Sequence, residues 1–73
     1  MAGLPIRNNI RELRARHGEM TQQELADRIG VTRQTVNAIE LCKYSPSLEV
    51  AFQIAAVFKV PLDQVFQYEK TRK

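Results

Sequence analysis

Five positions between residues 33 and 38 carry side chains that can bond or pack against the edges of nucleic-acid bases. They are Arg33, Gln34, Thr35, Asn37 and Ala38. Arginine can pair with guanine O6 and N7, glutamine can pair with adenine N6 and N7, and the methyl group of threonine or alanine can pack on thymine. Four of the five are polar and none is acidic. The set therefore favours contact with DNA over an ordinary solvated helix face.

Two short helices joined by a tight turn would place these side chains on one surface. Thr21 and Glu24 have the spacing of a capping box, which starts a helix, and Gly30 can adopt the left-handed conformation that ends it. Thr32 can cap a second helix two residues later. Apolar residues recur in both segments at the spacing of one buried stripe. They are Leu25, Ala26, Ile29, Val36 and Ile39. The pattern predicts a helix-turn-helix over residues 21–40, with the polar side of its second helix outward.

Helices on both sides of this motif are expected to supply the scaffold. The first should begin at Asn8 or Asn9, either of which can cap it, and should end near His17. A short last helix should start near Pro61, because proline suits a helix start. Its apolar residues are Leu62, Val65 and Phe66.

The longest helix is expected after the motif. Ser47 can cap a helix from Leu48 to Phe58, and Ser45-Pro46 is an alternative start. The apolar side chains at helical spacing are Leu48, Ala51, Ile54, Ala55 and Phe58. We interpret this stripe as core rather than as the lining of a ligand pocket, because so short a chain has too few apolar residues to form both.

Residues 22–40 resemble the helix-turn-helix of the XRE family, which includes the Cro and repressor proteins of phages lambda and 434. The resemblance continues through residues 43–48 and 60–62. It implies one all-α domain over residues 1–73, a five-helix fold of the lambda-repressor type. In that fold the third helix enters the major groove of DNA.

The resemblance also implies roles for individual residues. Gln22 and Gln34 match two cooperating glutamines of the family, with Gln22 at the DNA backbone and Gln34 at a base. The other base-facing positions are Arg33, Thr35 and Ala38, although Arg33 could reach a phosphate instead. The other expected contacts to the DNA backbone are Thr21, Asn37, Lys43 and Tyr44.

Two further features follow from the resemblance. Arg14 and Glu40 match the family's buried ion pair. Where the family usually has Asn-Gly after that glutamate, this chain has Leu41-Cys42. We expect Cys42 to adopt the left-handed conformation that glycine adopts more easily, because the helix must end sharply before residue 43.

Both ends of the chain have short segments that could pair as strands. Leu4-Pro5-Ile6 and residues 65–68 alternate apolar and other side chains. The short cytolysin-operon type of XRE repressor, which this chain resembles, has such a small terminal two-stranded sheet. Because the core is small and one helix-turn-helix makes few base contacts, we expect a homodimer with Phe66 and Tyr68 at its interface. In this dimer the two third helices, one from each subunit, should lie about 34 Å apart.

Composition limits the other function classes. The net charge of +3 and the pI near 9.4 suit double-stranded DNA as a partner, although three basic residues crowd the last four positions, as in a solvated terminus. One cysteine cannot form an internal disulfide, and no Cys/His cluster predicts a metal site. We expect no cofactor and no small-molecule ligand. No apolar run is long enough for a membrane helix, so a cytoplasmic location is expected.

An enzyme is not predicted. The single histidine, His17, lies near a predicted helix end, where it would interact with helix carbonyl groups rather than act as a general base. The sequence instead predicts a DNA-binding transcriptional regulator, a repressor, that inserts residues 32–40 into the major groove as a dimer. The alternative is an antitoxin-type module that binds a toxin protein.

Overall fold

The computed structural model describes residues 5–68, which form four α-helices, one 3-10 turn and a two-stranded antiparallel sheet. The elements in chain order are β1 (Ile6–Asn8), α1 (Ile10–Arg16), α2 (Gln22–Ile29), α3 (Arg33–Glu40), α4 (Leu48–Phe58), the 3-10 turn (Leu62–Gln64) and β2 (Phe66–Tyr68). Leu4 and the basic residues of the last four positions lie outside the described residues.

The helix-turn-helix is built on the local signals that the sequence contains. The Thr21 hydroxyl accepts from the Glu24 N–H at 3.0 Å, and the Thr21 N–H donates to the Glu24 carboxylate at 2.8 Å, which completes the capping box. Gly30 ends α2 in the left-handed conformation, with a φ of 75°. Thr32 then caps α3, because its hydroxyl accepts from the Thr35 N–H at 3.1 Å. The predicted motif is therefore confirmed at both helix starts and at the turn.

The core lies where the apolar faces of the helices meet, with α2 packed against both α3 and α4. Its buried side chains are Ile10, Leu13, Met20, Leu25, Ala26, Ile29, Val36, Ile39, Ile54, Ala55, Phe58 and Val65. The bounds predicted for α4 and its Ser47 cap are confirmed. The prediction that Leu48 faces inward is wrong, because its side chain is 68% exposed. Leu48 lies in the first turn of α4 on the same side as Phe52, which is also exposed.

The last described residues do not form the fifth α-helix that was predicted. Leu62–Gln64 form a single 3-10 turn, Val65 is buried, and the chain then extends as β2. Phe66, which was expected both in the last helix and in the strand segment 65–68, therefore lies in the strand. The two strands pair antiparallel with Ile6 opposite Tyr68 and Asn8 opposite Phe66, so the predicted terminal sheet is confirmed, with its first strand at Ile6–Asn8. The five-helix count is not confirmed.

Asn8 joins this sheet to two helices. Its side-chain oxygen accepts from the Ile10 N–H at 3.2 Å, so Asn8 rather than Asn9 supplies the side-chain bond at the start of α1. Its side-chain N–H donates to the Ile39 carbonyl at 2.9 Å. Asn9 donates instead to the Gln64 carbonyl at 3.2 Å. The end of α3 is thus fixed to the sheet by a hydrogen bond as well as by packing.

Candidate nucleic-acid interface

The outer face of α3 carries exposed polar side chains. Arg33, Gln34 and Asn37 are exposed, and Thr35 and Ala38 are half-buried at its margins. Within residues 5–68, the side chains of Arg33 and Gln34 make no hydrogen bond or ion pair, so their N–H groups can donate to a ligand. The structure therefore brings the five predicted positions together on one helix face.

Thr35 differs from its neighbours because its hydroxyl already has a partner. Its oxygen lies 3.0 Å from the hydroxyl oxygen of Thr32, the residue that caps α3. A contact through the Thr35 methyl group, as the sequence predicts, does not need that hydroxyl.

Beneath this face, a largely buried ion pair joins α1 to α3. Arg14 Nε lies 2.7 Å from Glu40 Oε2, and Arg14 Nη2 donates to Glu40 Oε1 at 3.1 Å. The two side chains are only 15% and 8% exposed. The remaining guanidinium nitrogen of Arg14 donates to the Met20 carbonyl at 2.8 Å. The pair that the resemblance implies is present, with the bidentate geometry that makes such pairs strong.

Gln22, at the start of α2, contacts this pair rather than Gln34. Its Nε2 donates to Glu40 Oε1 at 3.1 Å and to Asn37 Oδ1 at 3.2 Å. Within the described residues Gln22 and Gln34 do not bond to each other, and their cooperation on DNA stays a prediction. Thr21, one residue earlier, is exposed, and its hydroxyl hydrogen remains available after the oxygen has accepted the cap bond.

The loop after α3 starts with a sharp, hydrogen-bonded helix end. The Cys42 N–H donates to the Ile39 carbonyl at 3.0 Å and the Lys43 N–H donates to the Ala38 carbonyl at 2.9 Å, which is the Schellman pattern. Cys42 has a φ of 61°, so its predicted left-handed conformation is confirmed. The turn leaves the side chains of Lys43 and Tyr44 exposed directly after α3.

The thiol of Cys42 is half-buried against the sheet. Asn8 Nδ2 lies 3.8 Å from the sulfur, in addition to its bond to the Ile39 carbonyl. The thiol thus packs at the joint between α3 and β1.

A separate surface is mainly apolar. We call it the sheet face, and it is formed by residues of both strands, α4 and the 3-10 turn, with the polar residues Asp63 and Gln67 among them. Its large apolar side chains are Ile6, Leu48, Phe52, Leu62, Phe66 and Tyr68. Tyr68 is 71% exposed and Phe52 is 53% exposed, whereas Phe66 is half-buried. Of the two residues predicted for a dimer interface, Tyr68 is therefore the more accessible. Neither Leu48, which was predicted to be a core residue, nor Phe52 was predicted at this surface, although their spacing of four residues places both on one side of α4.

The described residues contain no group of three or more His, Cys, Asp or Glu side chains that could hold a metal ion. His17 Nδ1 lies 3.0 Å from the Leu13 carbonyl oxygen, and its ring packs edge-on against Phe58 with a centroid distance of 5.0 Å. That is the contact predicted for a residue at a helix end. Over residues 5–68, every helix is too short or too polar to cross a membrane.

Known proteins are similar to this chain in sequence, and one solved structure is similar to it in fold. A family model of helix-turn-helix proteins, HTH_3, matches residues 10–65. An uncharacterized HTH-type transcriptional regulator of Methanocaldococcus jannaschii is 47% identical over 64 residues, which cover 88% of this chain and 96% of that protein. The uncharacterized HTH-type transcriptional regulator YgzD of Bacillus subtilis is 45% identical over 65 residues, with coverage of 89% and 97%. The crystal structure of a proposed DNA-binding protein from Bacteroides fragilis matches 85% of this chain and 98% of that one. Its TM-score is 0.74 at 24% identity, which shows a shared fold.

Proposed function

This chain belongs to the HTH_3 family of helix-turn-helix proteins, and we propose that it is a transcriptional regulator that recognises a specific DNA sequence. The family and the names of the relatives indicate a DNA-binding regulator, not an enzyme. The observation that carries the proposal is the outer face of α3, where Arg33 and Gln34 are exposed and without partners inside the described chain. Such unpaired donors suit the acceptor groups along the major groove.

Within this proposal, α3 enters the major groove with its first two turns nearest the bases. Gln34 faces an adenine, and Arg33 contacts either a guanine or a phosphate. Thr35 and Ala38 provide methyl contacts to thymine. Lys43 and Tyr44 hold the DNA backbone from the loop after α3, and the Thr21 hydroxyl does so from the start of α2.

We propose further that the protein acts as a homodimer through the sheet face. Large apolar side chains that remain exposed, such as Tyr68 and Phe52, mark a surface that gains from being covered by another protein. A second copy of the same face would satisfy two-fold symmetry and place two α3 helices on half-sites about one DNA turn apart. A dimer bound across a promoter would exclude the transcription machinery, so the expected action is repression in the cytoplasm.

The test is selection of bound sequences from random duplexes, followed by light scattering of the protein alone and of the complex. The proposal expects one enriched sequence with two related half-sites, and a dimer both free and bound. No enriched sequence would contradict specific recognition. A monomer at concentrations that saturate the selected duplex would contradict the dimer. No observation on the site or the relatives favours the toxin-binding alternative.

A further inference from the structure

A chain of hydrogen bonds leads from the buried ion pair to the outer face of α3. Arg14 donates to both carboxylate oxygens of Glu40. Gln22 Nε2 donates to Glu40 Oε1 at 3.1 Å and to Asn37 Oδ1 at 3.2 Å. Asn37 is exposed and lies one helical turn after Gln34. The chain of bonds therefore starts in the protein interior and ends on the surface that we propose faces DNA.

The chemistry of Glu40 sets the direction of each bond. An ionised carboxylate only accepts hydrogen bonds, so Gln22 must turn its NH2 group toward Glu40. A reversed Gln22 amide would place its carbonyl oxygen against the carboxylate. The second N–H of Gln22 meets Asn37, so Asn37 must present its carbonyl oxygen, because a reversed amide would place two NH2 groups against each other.

The NH2 group of Asn37 is consequently left for an external partner. Within residues 5–68 it makes no hydrogen bond, and the Asn37 side chain is exposed. The Asn37 carbonyl oxygen, in contrast, is occupied by Gln22. The side chain thus has two free donors, while its oxygen is held against the Gln22 amide.

We propose that Asn37 contacts DNA as a hydrogen-bond donor only, and that Gln22 is the positioning residue that keeps it in that orientation. This inference rests on the DNA binding proposed above. The paired contact to adenine uses both groups of the amide on the same base, and the bond to Gln22 turns the Asn37 oxygen away from that arrangement. Its NH2 group instead suits an acceptor on DNA, either a phosphate oxygen or a major-groove base acceptor such as guanine O6 or N7, thymine O4 or adenine N7.

The same geometry changes the role expected for Gln22. Both N–H groups of its side chain are used inside the protein, and the group that remains is an oxygen. A phosphate oxygen accepts hydrogen bonds and would repel that group. The side chain of Gln22 therefore acts on DNA through Asn37 rather than by holding a phosphate itself.

A double-mutant cycle tests this role. Gln22→Met keeps the length of the side chain and removes its donors, and Asn37→Ala removes the proposed contact. We expect Asn37→Ala to weaken binding to the selected duplex about fivefold, and Gln22→Met to weaken it about threefold. The double variant should bind like Asn37→Ala alone, because Gln22 has nothing left to position. The proposal would be overturned if the affinity losses of the two single variants multiply in the double variant and the DNA affinity of Gln22→Met depends less on salt than that of the wild type. That result would mean that Gln22 itself binds a phosphate.

Gln23→Met is the matched control. Gln23 is the next residue along α2, is exposed, and donates only to Asp27, at 2.9 Å. The same substitution there should leave the affinity for DNA within error of the wild-type value. A loss equal to that of Gln22→Met would show that the effect comes from α2 in general, and the proposal would be wrong.

The two acceptor sources are separated by comparing the selected and a scrambled duplex. If Asn37→Ala weakens both duplexes alike, the acceptor is a phosphate; if it weakens only the selected duplex, the acceptor is a base. Either result supports a donor contact. In the second case, sequence selection with Gln22→Met should enrich adenine at the base pair that depends on Asn37, because the freed amide can then pair with it. Wild-type protein that already selects adenine over guanine there would contradict the proposal, because that choice requires an acceptor for adenine N6.

A measurement on the free protein separates this inference from the proposed function. In NMR spectra, the side-chain amide hydrogens of Gln22 should exchange with solvent more slowly than those of Gln23 and Asn37. Equal exchange rates for the side-chain amides of Gln22 and Gln23 would overturn the proposed hydrogen-bond chain, independently of whether the protein binds DNA. Slow exchange at Gln22 combined with no selective DNA binding would instead overturn the proposed function, and with it the DNA contact of Asn37.

Discussion

The outer face of α3 and the sheet face are both exposed, but they have opposite chemistry. On α3, Arg33 and Gln34 are polar groups that have no partner among residues 5–68, which costs little in water because water can bond them. On the sheet face, Phe52 and Tyr68 are large apolar groups in contact with water, which is unfavourable until another surface covers them. The first pattern suits a hydrated polyanion and the second suits a protein partner.

The two faces also differ in what holds them in place. The α3 face lies over the Arg14–Glu40 pair, which is also hydrogen-bonded to the Met20 carbonyl between α1 and α2 and to Gln22 of α2. The sheet face depends on the apolar packing of residues such as Val65 and on pairing of the two strands. Substitutions should therefore separate stability, self-association and DNA binding from one another.

The largest effect on stability is expected at the ion pair. Glu40→Gln leaves the guanidinium of Arg14, 15% exposed, without its counter-charge, so the free energy of unfolding should fall by about 3 kcal/mol. The exposed pair on α1, Glu12 with Arg16, is the matched control, because its side chains are 61% and 69% exposed. Glu12→Gln should lower stability by under about 1 kcal/mol. Urea titration measures both, and equal changes would mean that the Arg14–Glu40 pair is solvated.

A smaller effect, on association alone, is expected at the sheet face. Phe52→Glu places a charge in the proposed dimer contact and should raise the dissociation constant of the dimer about thirtyfold, or by about 2 kcal/mol. Gln53→Glu adds the same charge to the next residue of α4, which is exposed but does not line the sheet face, and should leave the constant unchanged. Sedimentation equilibrium distinguishes these outcomes. If both variants dissociate alike, net charge rather than the sheet face controls association.

The smallest effect is expected where α3 and α4 end. Cys42 and Lys59 are both left-handed, with φ of 61° and 57°, and a Cβ costs about 1 kcal/mol in that conformation. At each position the glycine variant should be more stable than the alanine variant by about that amount. The comparison with alanine removes the contribution of the thiol, which packs near Asn8. Thermal or urea unfolding measures the difference, and equal stability of the two variants would mean that the helix end relaxes without strain.

Features set by neighbouring residues were predictable from the sequence. The capping box of Thr21 and Glu24, the turn at Gly30 and the Ser47 start of α4 each depend on contacts within a few residues. The left-handed Cys42 was predictable because the family resemblance places glycine there.

Features set by distant residues were not predictable. The partners of Gln22 come from α3 and depend on how three helices meet around Glu40. The exposure of Leu48 depends on which distant elements pack against the first turn of α4, since its helical spacing alone places it near the buried stripe. The last predicted helix shortened to one 3-10 turn because the chain extends after Val65 to pair with β1, a contact about 60 residues away in sequence.

Sequence-specific recognition by α3 is tested most directly by fluorescence anisotropy on the selected and a scrambled duplex over several salt concentrations. Gln34→Ala should weaken binding to the selected duplex by about 1–3 kcal/mol and leave the scrambled duplex nearly unchanged. Lys43→Ala is the contrasting variant, and it should weaken both duplexes alike and reduce the salt slope by about one. If Gln34→Ala weakens both duplexes equally, α3 does not recognise bases through Gln34, and the proposed function loses its main support.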